Sequence, residues 1–251
     1  MSQFQNKVAL ITGASSGKDV GTAICRKLAS EGIDIFFTHW KSNADWIEKF
    51  QQEIRKMGVR CENLKIDLSY ANAAFELIDT VTDKLSLPSI LVNNAAHSTR
   101  DGYLQLDAKT LDDHYVVNMR STFLLCVQFA RLFEKSNLST GRIINMTSGQ
   151  DLGPMTGELA YIATKGAISS FTRSLSQELA PLGITVNAVN PGPTDSTWMT
   201  DEIRNSLLPK FPRGRIGTPE DVARVIRFLA SEEAEWITGQ IINSEGGFIR
   251  G

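Results

Sequence analysis

The chain has 251 residues, 42% of them hydrophobic and 22% charged, with a formal net charge of −2. That size and mix suit one large α/β domain or two small ones with a sizeable core, and the near-neutral balance excludes a general electrostatic affinity for nucleic acid or anionic membrane. Cys25, Cys61 and Cys126 have neither metal-ligand nor disulfide spacing, which fits a reducing compartment. No apolar run approaches a membrane span, and the N-terminal residues lack a signal-peptide core. A cytoplasmic protein is therefore expected, without membrane or nucleic-acid partners. His39, His97 and His114 are too dispersed to suggest a metal, and His39 and His114 read as surface or helix-face residues.

An apolar run at 8–11 leads into Thr12-Gly13-Ala14-Ser15-Ser16-Gly17-Lys18-Asp19-Val20-Gly21. A helical pattern follows, with Ala23, Ile24, Leu28 and Ala29 on one side. Strand, glycine turn and helix present backbone N–H groups and a helix N-terminus to a phosphate. Gly17-Lys18 invites comparison with a nucleotide triphosphate loop, which needs four residues between its glycines and Ser or Thr after Lys. Here three residues intervene and Asp19 follows, so that reading is rejected.

Further strands are predicted at 33–38, 61–68, 90–94, 143–147, 184–189 and 237–242. Helices are predicted around 46–56, 73–84, 111–133 (holding Asn118) and 160–179, and from Pro219 onward with Thr218 as N-cap. Asn190-Pro191-Gly192-Pro193 closes the sixth strand with turn residues. The alternation predicts a single α/β domain over 1–251, a doubly wound parallel sheet of about seven strands with helices on both faces. The irregular, amphipathic segment 194–217, with Trp198, Met199, Leu207, Leu208 and Phe211, is expected to form an apolar lid.

The chemistry converges on 148–165. Tyr161 and Lys165 are four apart, one turn from each other on a helix face. An ammonium favours the phenolate beside it, making a proton donor of a group whose free pKa is about 10. Ser148 ends a strand, where its hydroxyl can hold a substrate oxygen beside the phenol. His97, Gln150, Asp151 and Met155 follow strand ends and are candidates for the pocket walls.

The ordered set Thr12-Gly13-x-x-x-Gly17, Asp67, Asn93-Asn94-Ala95, Asn118, Ser148, Tyr161-x-x-x-Lys165 and Pro191-Gly192 resembles the classical short-chain dehydrogenase/reductase family along nearly the whole chain. The resemblance implies a Rossmann-type fold and an NAD(P)(H)-dependent enzyme moving hydride between nicotinamide and a carbonyl/alcohol pair. Tyr161 is then the general acid/base. Lys165 lowers its pKa and bonds the nicotinamide ribose, Ser148 orients the substrate oxygen, and Asn118 holds a water linked to Lys165. The phosphate turn is Gly13, Ser15, Ser16, Gly17, Lys18 and Gly21, while Asp67 and Leu68 meet the adenine. Asn94 and Ala95 pack by the adenosine ribose, and Pro191, Gly192 and Thr194 flank the nicotinamide.

Two departures stand out. Lys18-Asp19 reads as a two-residue insertion into the glycine turn, and Ala96 stands where the family often has glycine. Second-strand residues Thr38-His39-Trp40-Lys41-Ser42 carry no acid until Asp45. NADP(H) is therefore expected over NAD(H), with Lys41 and Lys18 meeting the extra phosphate. The 3-oxoacyl-carrier-protein reductase type is expected first, with a small or acyl-carrier-linked carbonyl substrate and a homotetrameric assembly. Sugar, steroid or broad carbonyl reductases of the family are alternatives, as is a non-catalytic NAD(P)-binding sensor.

Overall fold

The computed structural model describes residues 7–250. Seven parallel strands run in the order β3-β2-β1-β4-β5-β6-β7. They are β1 (Val8–Ile11), β2 (Asp34–His39), β3 (Cys61–Lys65), β4 (Ile90–Asn93), β5 (Gly141–Met146), β6 (Ile184–Asn190) and β7 (Ile241–Asn243). Central strands such as β1 and β4 are buried at every position, which is why they read as continuous apolar runs. Within β1, Ala9 and Ile11 join one core cluster while Val8 and Leu10 join the other, so the strand feeds both faces.

The first face is covered by α1 (Val20–Ala29), α2 (Ala44–Arg55) and α8 (Pro219–Ala230), which contribute Ile24, Leu28, Phe50 and Ile226 to its core. On the other lie α3 (Ala73–Lys84), α5 (Ser121–Glu134) and α6 (Leu159–Leu179), with Leu77, Phe129 and Leu175. The chain winds β1, β2, β3 outward, then returns to place β4 on the other flank of β1. This reversal leaves a crevice beyond the carboxyl ends of β1 and β4, where doubly wound sheets bind ligands.

Several boundaries differ from expectation. β2 lies one residue later, and β3 stops at Lys65 because the chain turns at Asp67, whose carboxylate accepts from the Ser69 N–H at 2.9 Å. β7 begins only at Ile241, after Gly239 at φ 73°. The helix expected across 111–133 is instead α4 (Ala108–His114), a π-helical turn (Tyr115–Arg120) and α5. Segment 194–217 is more regular than its composition implied. It holds the short helix α7 (Asp201–Leu207), its ends meet through a Thr194–Gly217 bridge, and Met199, Phe211 and Ile216 bury a small core of their own. Among the described residues no helix is long and apolar enough to cross a membrane, and no group of His, Cys, Asp or Glu is placed to hold a metal ion.

Candidate active site

A cleft of about 680 Å³ follows the crevice, within the range of small-molecule sites. Its walls include Gly13, Ser15, Thr38, Lys41, Asp67, Leu68, Asn94 and Ala95, so these predicted nucleotide contacts meet in one place, whereas Ser16, Gly17, Gly21, Pro191, Gly192 and Thr194 lie outside the lining. The glycine turn is braced from below. Asn94 donates to the Thr12 and Gly13 carbonyls at 3.0 and 2.8 Å, and Thr12 Oγ1 accepts from the N–H groups of Asn94 and Ala95 at 3.0 Å. Thr38 Oγ1 accepts from the Gly13 N–H at 3.1 Å.

Gly13 is left-handed (φ 77°), and a Cβ there would meet the Ala95 backbone at 2.8 Å. A Cβ at Gly21 would lie 2.1 Å from the Gly13 carbonyl oxygen. Both glycines let the turn pack closely on the head of α1 and on the segment after β4, the close helix–strand packing of a dinucleotide turn, so the residues fit a dinucleotide. Gly17 is less constrained, its Cβ direction meeting only Trp46 at 3.6 Å. Lys18, expected beside Lys41, is exposed and absent from the cleft wall.

At the adenosine end, Lys41 is the one non-glycine residue with positive φ (55°) among the described residues. A long side chain in that conformation costs about 1–3 kcal/mol and is typical of binding positions. His39, expected at the surface, is buried. Its Nε2 lies 3.2 Å from Asn63 Oδ1, its Nδ1 has no partner, and burial holds its pKa below the ordinary value.

The predicted catalytic residues Ser148, Tyr161, Lys165 and Asn118 do not line this cleft; they adjoin it through His97, which lines it and is bonded to Asn118. Tyr161 opens α6, whose first amides at Leu159 and Ala160 donate to the Asp101 carboxylate at 2.6 and 2.8 Å. Lys165, one turn on, is buried; its ammonium lies 5.5 Å from the Tyr161 ring centroid and donates to the Met146 carbonyl at 2.7 Å. The expected depression of the phenol pKa is not found. Burial pushes Tyr161 up to about 12, the Glu158 carboxylate adds to this, and a hydrogen bond with Ser148 works the other way. Burial brings Lys165 down to about 8. Desolvation dominates both shifts.

Asn118 lies in the π-helical turn, a form frequent at functional sites. Its Oδ1 accepts from the His97 N–H at 2.7 Å, and its Nδ2 donates to the His97 carbonyl at 2.9 Å and to Thr164 Oγ1 at 3.1 Å. Both donors are thus spent on protein, leaving one lone pair on Oδ1 for a water. His114 is fully buried, contrary to its expected helix-face role. Its Nδ1 donates to the Thr110 carbonyl at 2.8 Å, its Nε2 accepts from the Thr99 N–H at 3.3 Å, and its ring packs edge-on against His97 with centroids 4.7 Å apart.

Of the expected wall residues, Met155 reaches Ser148, with Sδ 3.6 Å from Oγ. Gln150 turns inward to Thr147 and Ser169 at 3.2 and 3.1 Å, and Asp151 is exposed.

One contribution had no signal in local sequence. Arg250 forms a bidentate pair with Glu245, and its guanidinium fills the space where a Cβ on Gly149 would sit, 1.8 Å from Nη2. Glu245 also accepts from Asn190 at 2.8 Å and packs on Gly192, where a Cβ would meet it at 2.9 Å. The pair clasps the loop after Ser148 to the Pro191-Gly192 turn. Thr194 is buried beside that turn, donating to the Pro191 carbonyl at 3.1 Å.

A model of the family described as Enoyl-(Acyl carrier protein) reductase matches residues 13–249. Uncharacterized oxidoreductase YjdA of Bacillus subtilis is 77% identical over 100% of both chains. The 3-oxoacyl-[acyl-carrier-protein] reductase FabG of Aquifex aeolicus is 36% identical over 98% of both. Among solved structures, a short-chain dehydrogenase/reductase from Serratia marcescens superposes with a TM-score of 0.89 at 32% identity, covering 98% of this chain and 99% of that one. A short chain dehydrogenase from Burkholderia cenocepacia, in complex with NADP, gives 0.89 at 29% identity over 98% of each. Fold, site and relatives define a nicotinamide-type oxidoreductase. The chain belongs to the short-chain dehydrogenase/reductase family, in its classical form.

Proposed function

We propose that the protein is an NADP(H)-dependent reductase of a carbonyl group, with the 3-oxoacyl-thioester type as first substrate class. The observation that carries the reading is the Tyr161 phenol beside buried Lys165, with the Ser148 hydroxyl near enough to oppose the rise of the phenol pKa. Two hydroxyls converging at one point suit a carbonyl oxygen that must be held and then protonated. The nicotinamide supplies or accepts the hydride when bound. Ser148 donates to the substrate oxygen and fixes its position. Tyr161 delivers its phenolic proton to that oxygen, and its high pKa keeps the proton in place until then. Lys165 stands one turn behind as the source of the replacement proton, and Asn118 fixes the His97 segment and a water route to it. Gly13, Ser15, Ser16, Gly17 and Gly21 would form the turn that passes the pyrophosphate, Asp67 and Leu68 would meet the adenine, and Pro191, Gly192 and Thr194 the nicotinamide side.

The cofactor preference rests on Thr38, His39 and Lys41 at the end of β2, where no carboxylate stands against an additional phosphate. The NADP-bound Burkholderia relative agrees with it. The substrate class rests on the relatives named as 3-oxoacyl-carrier-protein reductases. A homotetramer is part of the same reading: Phe123 and Phe171, on α5 and α6, stack at 3.7 Å and are only half-buried. A monomeric mass by light scattering would remove the tetramer.

The test is consumption of NADPH and NADH with a 3-oxoacyl thioester and a panel of simple ketones. Faster turnover of NADPH with the thioester is expected. Preference for NADH sinks the cofactor assignment, and failure with every ketone leaves a binding protein without turnover.

A further inference from the structure

The inserted pair Lys18-Asp19 sits at the head of α1, where a phosphate turn normally offers its amides to the ligand. Here those amides are already engaged. Asp19 Oδ2 accepts from the N–H groups of Ser15 and Ser16, both at 2.7 Å, and Oδ1 accepts from the Thr22 N–H at 2.7 Å. As N-cap of α1, Asp19 satisfies the helix end as a bound anion would. It also lines the cleft beside Gly13, Ser15 and Val20, so its charge faces the path of any incoming phosphate.

The other inserted residue carries the opposite sign. Lys18 is exposed and pairs with no carboxylate among the described residues. Its positive charge reaches Asp195, whose carboxyl is held low in pKa first by Arg204 and to a smaller extent by Lys18. Asp195 is itself taken by Arg204 through two bonds of 2.9 and 2.8 Å, which leaves Lys18 uncommitted. The neighbours of Asp195, Ser196 and Thr197, form the cleft wall opposite the glycine turn. Lys18 therefore sits exposed at the tip of the glycine turn, on the side of segment 194–217 and outside the cleft wall, whereas Lys41 lines the wall at the end of β2.

We infer that the insertion divides the phosphate-binding work in an unusual way. Asp19 is a resident anion that occupies the amide cradle and weakens dinucleotide binding, and Lys18 neutralises the pyrophosphate in place of those amides. This rests on the cofactor reading above. It moves Lys18 from the extra phosphate of NADP to the pyrophosphate that both coenzymes share.

The test is the dissociation constant of NADPH and of NADH, by calorimetry at low and high salt, together with the melting temperature. It compares wild type with Asp19→Asn, Asp19→Ser and Lys18→Met. Asparagine and serine still cap a helix but carry no charge, so folding is expected to survive. Asp19→Asn should tighten both coenzymes by on the order of tenfold, the scale of one charged interaction. Lys18→Met should weaken both by a similar factor and flatten the salt dependence. Unchanged or weaker binding in both folded Asp19 variants overturns the inference, as does a Lys18→Met effect confined to NADPH. If wild type binds neither coenzyme, the cofactor reading itself fails and this one with it.

Discussion

The proposed catalytic end of the site and the cleft wall at the end of β2 are built differently. Around the proposed catalytic residues, Lys165, Asn118 and Thr164 are buried, and each side chain donates to a protein group within 3.1 Å. At the adenosine end, Trp40 is 43% exposed, His39 keeps an unpartnered nitrogen, and Lys41 is held in a left-handed conformation. The first end must keep atoms fixed through a proton transfer, and a packed, satisfied network does that. The second has only to attract and discriminate a charged ligand, so an exposed cation at a strand end suffices. Substitutions at the closed end should therefore act on rate, and those at the open end on choice of cofactor.

The largest effect expected is at the proton donor. Tyr161→Phe should lower kcat by about 10²–10⁴-fold while NADPH binding stays within severalfold. A phenylalanine variant with near-wild-type kcat would remove Tyr161 from its role. Next comes the turn that joins the two ends. In Gly21→Ala the new methyl must move either the Gly13 carbonyl (2.1 Å) or Asn94 (2.8 Å). Overpacking of this kind costs about 1–3 kcal/mol, so the melting temperature should fall and dinucleotide affinity drop more than tenfold. Retained affinity would show that the turn adapts and that the close fit is incidental.

At the open end the effect should be smaller and selective. Lys41→Ala is expected to weaken NADPH by roughly tenfold and leave NADH nearly unchanged, as loss of one charged hydrogen bond predicts. Equal losses for both coenzymes would erase the contrast between the ends.

The smallest effect is on stability. The Lys165 amine titrates near pH 8 in the folded protein against 10.5 for the free group, so between those values the unfolded chain binds more protons. Stability should therefore rise with pH across that window. The Tyr161 phenol is shifted the other way, from 10.0 to about 12, so its contribution is lost as pH climbs above 10.0. Lys165→Met should abolish the rise and leave the fall, which urea midpoints at either end of the window would show. A rise that persists in the variant would assign it to another group.

Most of the fold was legible because buried parallel strands are short apolar runs between turn signals, and Ser148, Tyr161 and Lys165 lie on adjoining elements with fixed spacing. What stayed hidden depended on burial and distance. Tyr161 and Lys165 repeat at helix spacing whether exposed or buried, so the sequence could not reveal that desolvation would reverse the phenol shift. His39 and His114 look alike as polar residues near helices or strand ends, yet tertiary packing encloses both. The π-helical turn around Asn118 leaves the 3.6-residue apolar pattern almost intact. Arg250 and Gly149 meet only because β7 is the edge strand beside β6.

That last contact has a kinetic meaning. Gly149 and Arg250 are separated by most of the second half of the chain, so the clasp can form only after β5, β6 and β7 have paired and brought the two segments together. Such a closure carries a large entropic cost and comes late when folding proceeds from local contacts outward. A chain that has already formed its sheet would still hold the Ser148 loop untethered. During refolding, recovery of enzymatic activity should therefore lag behind recovery of the far-ultraviolet helix signal, with the docking of Glu245 and Arg250 as the final step.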